Sequence, residues 1–285
     1  DPSSTTDSAE YNVAVGTTSL DAVTTGDYNA AFGYNSLYSN TTGEKNTAIG
    51  NYALNDNTEG YRNTAVGYGA LKKNTTAKYN TATGYEALNQ NTTGENNIAL
   101  GYHSLYNNTT GDNNAAFGFN SLYNNTTGER NTAIGNYALN DNTEGYRNTA
   151  VGYGALKKNT TAKYNTAIGY EALNRNTTGE NNIALGNQAA YYNTTGAYNT
   201  AIGFEALNKN TTGSRNTAIG LEALKKNTEG QYNTSLGYKA GDKITTGSNN
   251  TILGYEADPD ANIATNQTVI GYTATGQADN SVTLG

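Results

Sequence analysis

The chain has 285 residues, 17 basic against 24 acidic, with no Cys, Met or Trp and a single histidine. A net charge of −7 argues against a nucleic-acid partner, which needs a basic stripe. Gly, Asn and Thr dominate while large aliphatic residues are sparse, which excludes a single thick hydrophobic core, and the lack of Cys excludes disulfide and thiol chemistry.

Residues 1–10, DPSSTTDSAE, read as an N-terminal extension. From Tyr11 onward a small-aliphatic-Gly motif recurs without a gap. Its glycines run Gly16, Gly33, Gly50, Gly67 and so on to Gly271 and Gly285, 17 residues apart except for a last interval of 14. A representative coil, Asn46 to Arg62, is NTAIGNYALNDNTEGYR. Helix–turn–helix repeats need about 33–47 residues, so this period suits short strands and turns. The expectation is an all-β chain: one parallel β-solenoid (β-roll) over residues 11–285, of about seventeen 17-residue coils, each with two short strands joined by two turns.

Within a coil the first strand is Thr-Ala-Ile, and alternation puts Thr47 and Ile49 on one face and Ala48 on the other. The aliphatic slot holds Val15, Phe32, Ile49, Val66 and onward to Leu284, broken only by Thr83. The middle slot is Ala from Ala14 through Ala218, then Ser235, Ile252, Val269 and Thr283; so strict a small residue predicts close approach by another backbone. A second segment carries Ala-Leu, as in Ala53-Leu54, and reads as a strand or tight bend, because four residues rarely nucleate a helix. The closing turns are Asn-Thr-Thr-Gly or Asn-Thr-Glu-Gly, whose Asn and Gly tolerate left-handed dihedrals.

Residues 29–101 match 114–186 at an offset of 85, five coils, with five differences in 73 positions. Tandem duplication of whole coils fits a chain in which each unit touches only its neighbours. Burial per coil is thin: about two large apolar side chains, worth roughly 1.5–3 kcal/mol each, oppose about 1–2 kcal/mol of backbone entropy per ordered residue. The aromatic slot after the glycine (Tyr34, Tyr68, Tyr85, Tyr102, Phe119 and their counterparts) is a further apolar resource, and it argues for association between chains.

The strings Asn-Asn-Ile-Ala-Leu-Gly101, Asn-Asn-Thr-Ile-Leu-Gly254, Asn-Gln-Thr-Val-Ile-Gly271 and Asp279-Asn-Ser-Val-Thr-Leu-Gly285 resemble the head repeats of trimeric autotransporter adhesins, and similar repeats occur in phage-type tail fibres. The resemblance covers the chain from about Tyr11. It implies a left-handed β-roll, a homotrimer, and display outside the cell at the cell surface. The family's head coil is commonly about fourteen residues, as in the last interval here; the other intervals carry three more, around the Asn-Thr-Thr-Gly turn.

Candidate chemistry concentrates in the turns. Asn40, Asn74, Asn91, Asn108, Asn125, Asn159, Asn176, Asn193 and Asn210 begin Asn-Thr-Thr, and Asn233, Asn249 and Asn266 also fit the N-linked acceptor pattern. Two readings are open: sites for covalent glycans, or an asparagine ladder that satisfies the turn backbones. Asn57, Asn142 and Asn227, followed by Thr-Glu, lack the acceptor pattern. The threonine pairs, such as Thr41-Thr42, would order water if they formed a flat ladder, although Glu59, Glu144 and Glu229 interrupt that edge. His103 reads as an exposed substitution, and Lys72-Lys73, Lys157-Lys158 and Lys225-Lys226 as solvated-edge charge. No second His or Cys supports a transition-metal site, no catalytic motif accompanies His103, and no cofactor is expected. No run of roughly 18 apolar residues occurs, so no membrane insertion is expected.

These readings point away from an enzyme. They point to the structural subunit of an extracellular fibre or filament, with itself as partner, glycan-coated and assembled head-to-tail. In that arrangement residues 1–10 would complete the half coil that a neighbour ends at Gly285. The alternative is a homotrimeric adhesin head or tail-fibre segment that binds a cell surface; an adhesin calls for a localised departure from the repeat, and only the stretch Asp258 to Asn266 comes near that.

Overall fold

The computed structural model describes residues 9–285, so the role expected for residues 1–10 falls almost wholly outside the described residues. The chain divides into two compact units, the first ending at Glu144 and the second running from Gly145 to Gly285. Each unit is a parallel β-solenoid. The first carries β1 (Val13–Val15) through β8 (Thr132–Ile134), and the second β9 (Thr149–Val151) through β17 (Val282–Leu284), every strand three residues long. No helix occurs among the described residues.

Strands pair with their equivalents one coil on, in register. In the first unit β3 (Thr47–Ile49) sets Thr47 against Thr64, Ala48 against Ala65 and Ile49 against Val66. In the second unit β12 (Thr200–Ile202) meets Thr217, Ala218 and Ile219 in the same way. The last pairing, Thr268 with Val282, absorbs the shorter interval. In-register stacking puts like on like, so each slot of the repeat becomes a column.

The columns sort by size. Ala48 is fully buried and Ile49 is 43% exposed. The middle alanine faces the interior, as its small size predicts, and the larger aliphatic residue of the strand faces out. What fills the interior opposite is the leucine of the second segment: Leu20, Leu37, Leu54 and onward to Leu139 in the first unit, and Leu156, Leu173, Leu207 and Leu224 in the second, are fully buried. The core is therefore one Ala and one Leu wide. The expected two large buried residues per coil reduce to one, because two backbones this close leave room for a single large side chain.

The second segment is not a strand. Residues 51–56 form a continuous run of turn, with Tyr52 at φ 61° and Leu54 at φ 51°. Left-handed backbone costs roughly 1–2 kcal/mol for a residue with a Cβ. Hydrogen bonding to both neighbouring coils offsets it: Tyr52 N donates to Tyr34 O at 2.9 Å, and Leu54 N donates to Ala70 O at 3.0 Å. The two left-handed residues send their N–H groups to opposite neighbours, while Ala53 N between them donates to Gly50 O of its own coil at 3.2 Å and closes the turn. Glycine at the Leu54 position would relieve the dihedral and empty the core.

Candidate functional site

Two columns of buried asparagine run through each unit. The first is the turn asparagine. In the first unit Asn108 Nδ2 donates to Asn91 Oδ1 at 2.8 Å and to Gly111 O at 3.0 Å, while Asn108 Oδ1 accepts from Asn125 Nδ2 at 2.8 Å. The second is the asparagine before the strand. Asn97 N donates to Asn80 Oδ1 at 2.9 Å, and Asn97 Nδ2 donates to Gly111 O at 2.8 Å. Both columns converge on the same carbonyl, Gly111 O, which closes the coil. A Cβ at Gly111 would lie 2.6 Å from Asn108 Oδ1, so glycine here lets the ladder pass.

The sequence-predicted acceptors fall into two groups. Asn40, Asn74, Asn91, Asn108, Asn125, Asn159, Asn176, Asn193 and Asn210 lie in the turn ladder and Asn233 lies in the pre-strand ladder, all fully buried. Their amides are committed to the stack, and the folded chain does not present them. Asn249 and Asn266 are exposed, each with left-handed φ at the surface turn. Asn57, Asn142 and Asn227 are as buried as the others, although glutamate follows where the second threonine stands elsewhere. The acceptor pattern and the buried position are thus independent. The turn ladder stops where amides stop: Val23 fills its slot in the first unit and Ile244 in the second. Asn227 Oδ1, facing no amide on the Ile244 side, has no hydrogen-bond partner.

The threonine pair is split in function. Thr41 Oγ1 donates to Thr58 O of the next coil at 3.1 Å, which removes that hydroxyl from any water-ordering array. Thr42 and its counterparts point outward.

The outer strand face pairs a threonine column with an aliphatic one. Val15, Phe32, Ile49 and Ile134 in the first unit, and Ile168, Leu236 and Leu253 in the second, are all exposed. Beside this column runs the aromatic slot, where Tyr68, Tyr85 and Tyr102 stack at 5.3 and 5.1 Å between ring centroids. Sequence reasoning found both columns and set the aliphatic one on the face opposite the alanine. Alternation says that Ala48 and Ile49 oppose each other; it does not say which of them is inside.

His103 departs from its expected exposure. Its side chain is 20% exposed, its Nε2 lies 3.0 Å from Glu86 Oε2, and its ring sits 4.0 Å from Tyr102 and 4.9 Å from Tyr106. It joins the Tyr68–Tyr102 stack to the Tyr106–Tyr123 stack, a role visible only once the coils are superposed. The lysine pairs also take partners. Lys73 Nζ lies 3.5 Å from Asp56, and Lys226 Nζ lies 2.8 Å from Asp242. Lys225 bridges Glu205 at 2.6 Å and Glu222 at 2.8 Å, hydrogen bonds that hold its ammonium above the ordinary lysine range and the Glu222 carboxyl below the ordinary glutamate range.

One carboxylate stands apart. Burial pushes Asp258 up to about 6, against the Lys243 N–H that donates to its Oδ1 at 3.0 Å. No group of three or more His, Cys, Asp or Glu side chains gathers as a metal site among the described residues. Among the described residues no helix is long and apolar enough to cross a membrane. No family model matches the chain, and no curated protein matches it.

Proposed function

We propose that the chain is a structural subunit of an extracellular fibre or filament that associates with further copies of itself through the outer strand face. One observation carries this reading: the outer aliphatic column, with Ile49 and Ile134 in the first unit and Ile168 and Leu236 in the second, stands exposed while the inner alanine column of the same strands is buried. Exposed apolar area on this scale, repeated coil after coil, marks an association surface, since ordinary soluble monomers do not leave contiguous apolar patches beyond a few hundred Å². Acidic net charge keeps separate assemblies apart in solution. Glycans in this reading occupy the exposed Asn249 and Asn266 and outward threonines such as Thr42, and the turn ladder is structural throughout.

The adhesin-head reading rests on the resemblance and on the irregular stretch from Asp258 to Asn266. There the turn is held by Gln267, whose Nε2 donates to Asp260 Oδ1 at 2.5 Å, and Ile263 stands exposed. Light scattering on the native assembly separates the two. An open-ended mass distribution supports a filament, and a discrete mass of three chains supports the trimeric head. Replacing Ile49 and Ile168 with lysine should leave the coils folded and reduce the assembly to single chains. An unchanged mass would sink the proposed face.

A further inference from the structure

Cys and Met, the side chains that ordinarily take oxidation first, are absent, and so is Trp. The chain has 24 tyrosines, so a one-electron oxidant acting on it meets phenols almost exclusively. Their arrangement is of two kinds. Tyr68, Tyr85 and Tyr102 lie in one column with ring planes 10° and 9° from parallel, and Phe119 ends the stack at 12°. In the second unit Tyr238, Tyr255 and Tyr272 repeat the geometry, with centroids 4.9 and 5.2 Å apart at 14° and 15°. Tyr11–Tyr28, Tyr106–Tyr123 and Tyr153–Tyr170 are stacked pairs as well, at 7°, 9° and 10°, whereas Tyr61 with Tyr79 at 76° and Tyr34 with Tyr52 at 90° are edge-on.

The difference matters chemically. A phenoxyl radical carries unpaired density on oxygen and on the ring carbons ortho to it, in lobes perpendicular to the ring. Two such radicals join when those lobes meet face to face, which a parallel stack provides and an edge-on pair does not. Stacked rings also hide their faces and show only edges, so they make a poor platform for a sugar ring. Tyr85 is 44% exposed, which lets a small oxidant reach the phenol and leaves the ring room to swing after bonding.

We infer that the stacked tyrosine column is an oxidative cross-linking site, joining Tyr85 to Tyr68 or Tyr102 in the first unit and Tyr255 to Tyr238 or Tyr272 in the second, with hydrogen peroxide and a haem peroxidase as the oxidant. Each phenol gives up one electron and its hydroxyl proton. A carbon–carbon bond then forms between two ortho carbons, and the hydrogens on those carbons move to the oxygens as both rings regain aromaticity. The peroxide O–O bond breaks, and its oxygens leave as two waters. The product ties consecutive coils together covalently, so neither peels away alone. Glu86, beside Tyr85, holds that phenol above the ordinary tyrosine range, and Glu256 does the same for Tyr255.

The test is to treat the folded full chain with a haem peroxidase and limiting peroxide, then to measure dityrosine fluorescence and map linked peptides by mass spectrometry. The expected result is links within a chain at the stacked pairs, foremost Tyr68–Tyr85, Tyr85–Tyr102, Tyr238–Tyr255 and Tyr255–Tyr272 and also Tyr106–Tyr123, each lowering the mass by two hydrogens. At least a tenfold lower yield is expected at Tyr61–Tyr79. Tyr85→Phe should remove the links in the Tyr68–Tyr102 column and leave those of the second unit; phenylalanine already fills this slot at Phe119 and Phe204, so the fold is kept. Equal yields at stacked and edge-on pairs, links mainly between chains, or the same pattern in denaturant as in the folded state would each overturn the assignment.

Discussion

In the second unit, the coils up to Leu224 and those beyond it solve the same packing problem in opposite ways. In the regular coils the strand contributes Ala201 or Ala218 to the interior, and the turn segment contributes Leu207 or Leu224. Beyond Leu224 the leucine slot becomes Gly241 and then Asp258, and the strand's inner slot becomes Ser235, then Ile252 and Val269. Ile252 and Val269 are buried where alanine stood before. In the Ile252 and Val269 coils the large side chain has moved from the turn to the strand, and in the intervening coil, where Ser235 meets Gly241, the large buried residue is Ile244. The lesson is that the large side chain of a layer can come from more than one wall of the coil.

This comparison breaks most sharply at the large residues. Leu105→Ala in a regular coil and Ile252→Ala in the C-terminal region should each cost about 2–4 kcal/mol, because each removes the one large side chain of its layer. Ala190, standing naturally in the leucine slot, places the regular coils toward the lower end. The converse change, Ala201→Ile, should cost about 1–3 kcal/mol by overpacking against Leu207, although isoleucine is native at the equivalent position 252. Denaturant unfolding of the three variants checks the pattern, and a neutral Ala201→Ile would remove the size constraint.

Next in size come the amides. Asn108→Ala, in the interior of its ladder, strands the Asn91 and Asn125 groups that bond it and should cost about 2–3 kcal/mol. Asn227→Ala, at the ladder's end, should cost visibly less, because its Oδ1 already lacks a partner. Equal losses at the two positions, measured in the same unfolding experiment, would mean that the column does not act as a chain of linked bonds.

The smallest effect belongs to Asp258, the carboxylate that took over a leucine slot. Its ordinary value of 3.8 is raised to about 6, first by burial, with Asp242 adding repulsion and Lys243 and Lys226 opposing. The folded chain therefore holds a proton that the unfolded chain has lost between those two values. That stability is present below the lower value and is lost as pH rises through about 6. A two-unit shift corresponds to about 3 kcal/mol at full burial, and partial exposure of this group reduces the expectation to about 1 kcal/mol. Asp258→Asn keeps an acceptor for the Lys243 N–H and should stabilise the chain by that amount at neutral pH, with no gain at about pH 4. Unfolding curves at the two pH values test it, and a pH-independent difference would assign the effect to packing.

The coil itself was written in the chain. A period of 17 residues, a strand of three and a small residue at its centre from Ala14 through Ala218 imply stacked parallel coils with another backbone close to the alanine, because in-register stacking admits only what every neighbouring layer admits. Tertiary structure alone decided the rest. Alternation opposed Ala48 to Ile49, but the narrow interior chose the alanine and left the isoleucine outside. A leucine held at φ 51° carries no local signal, since its dihedral is fixed by bonds to the coils on either side. The Asn-Thr-Thr triplets read equally as surface acceptors or buried ladders, because a triplet specifies chemistry and not direction. Only the stacking of one coil on the next turned those amides inward, where each needed the other as its partner.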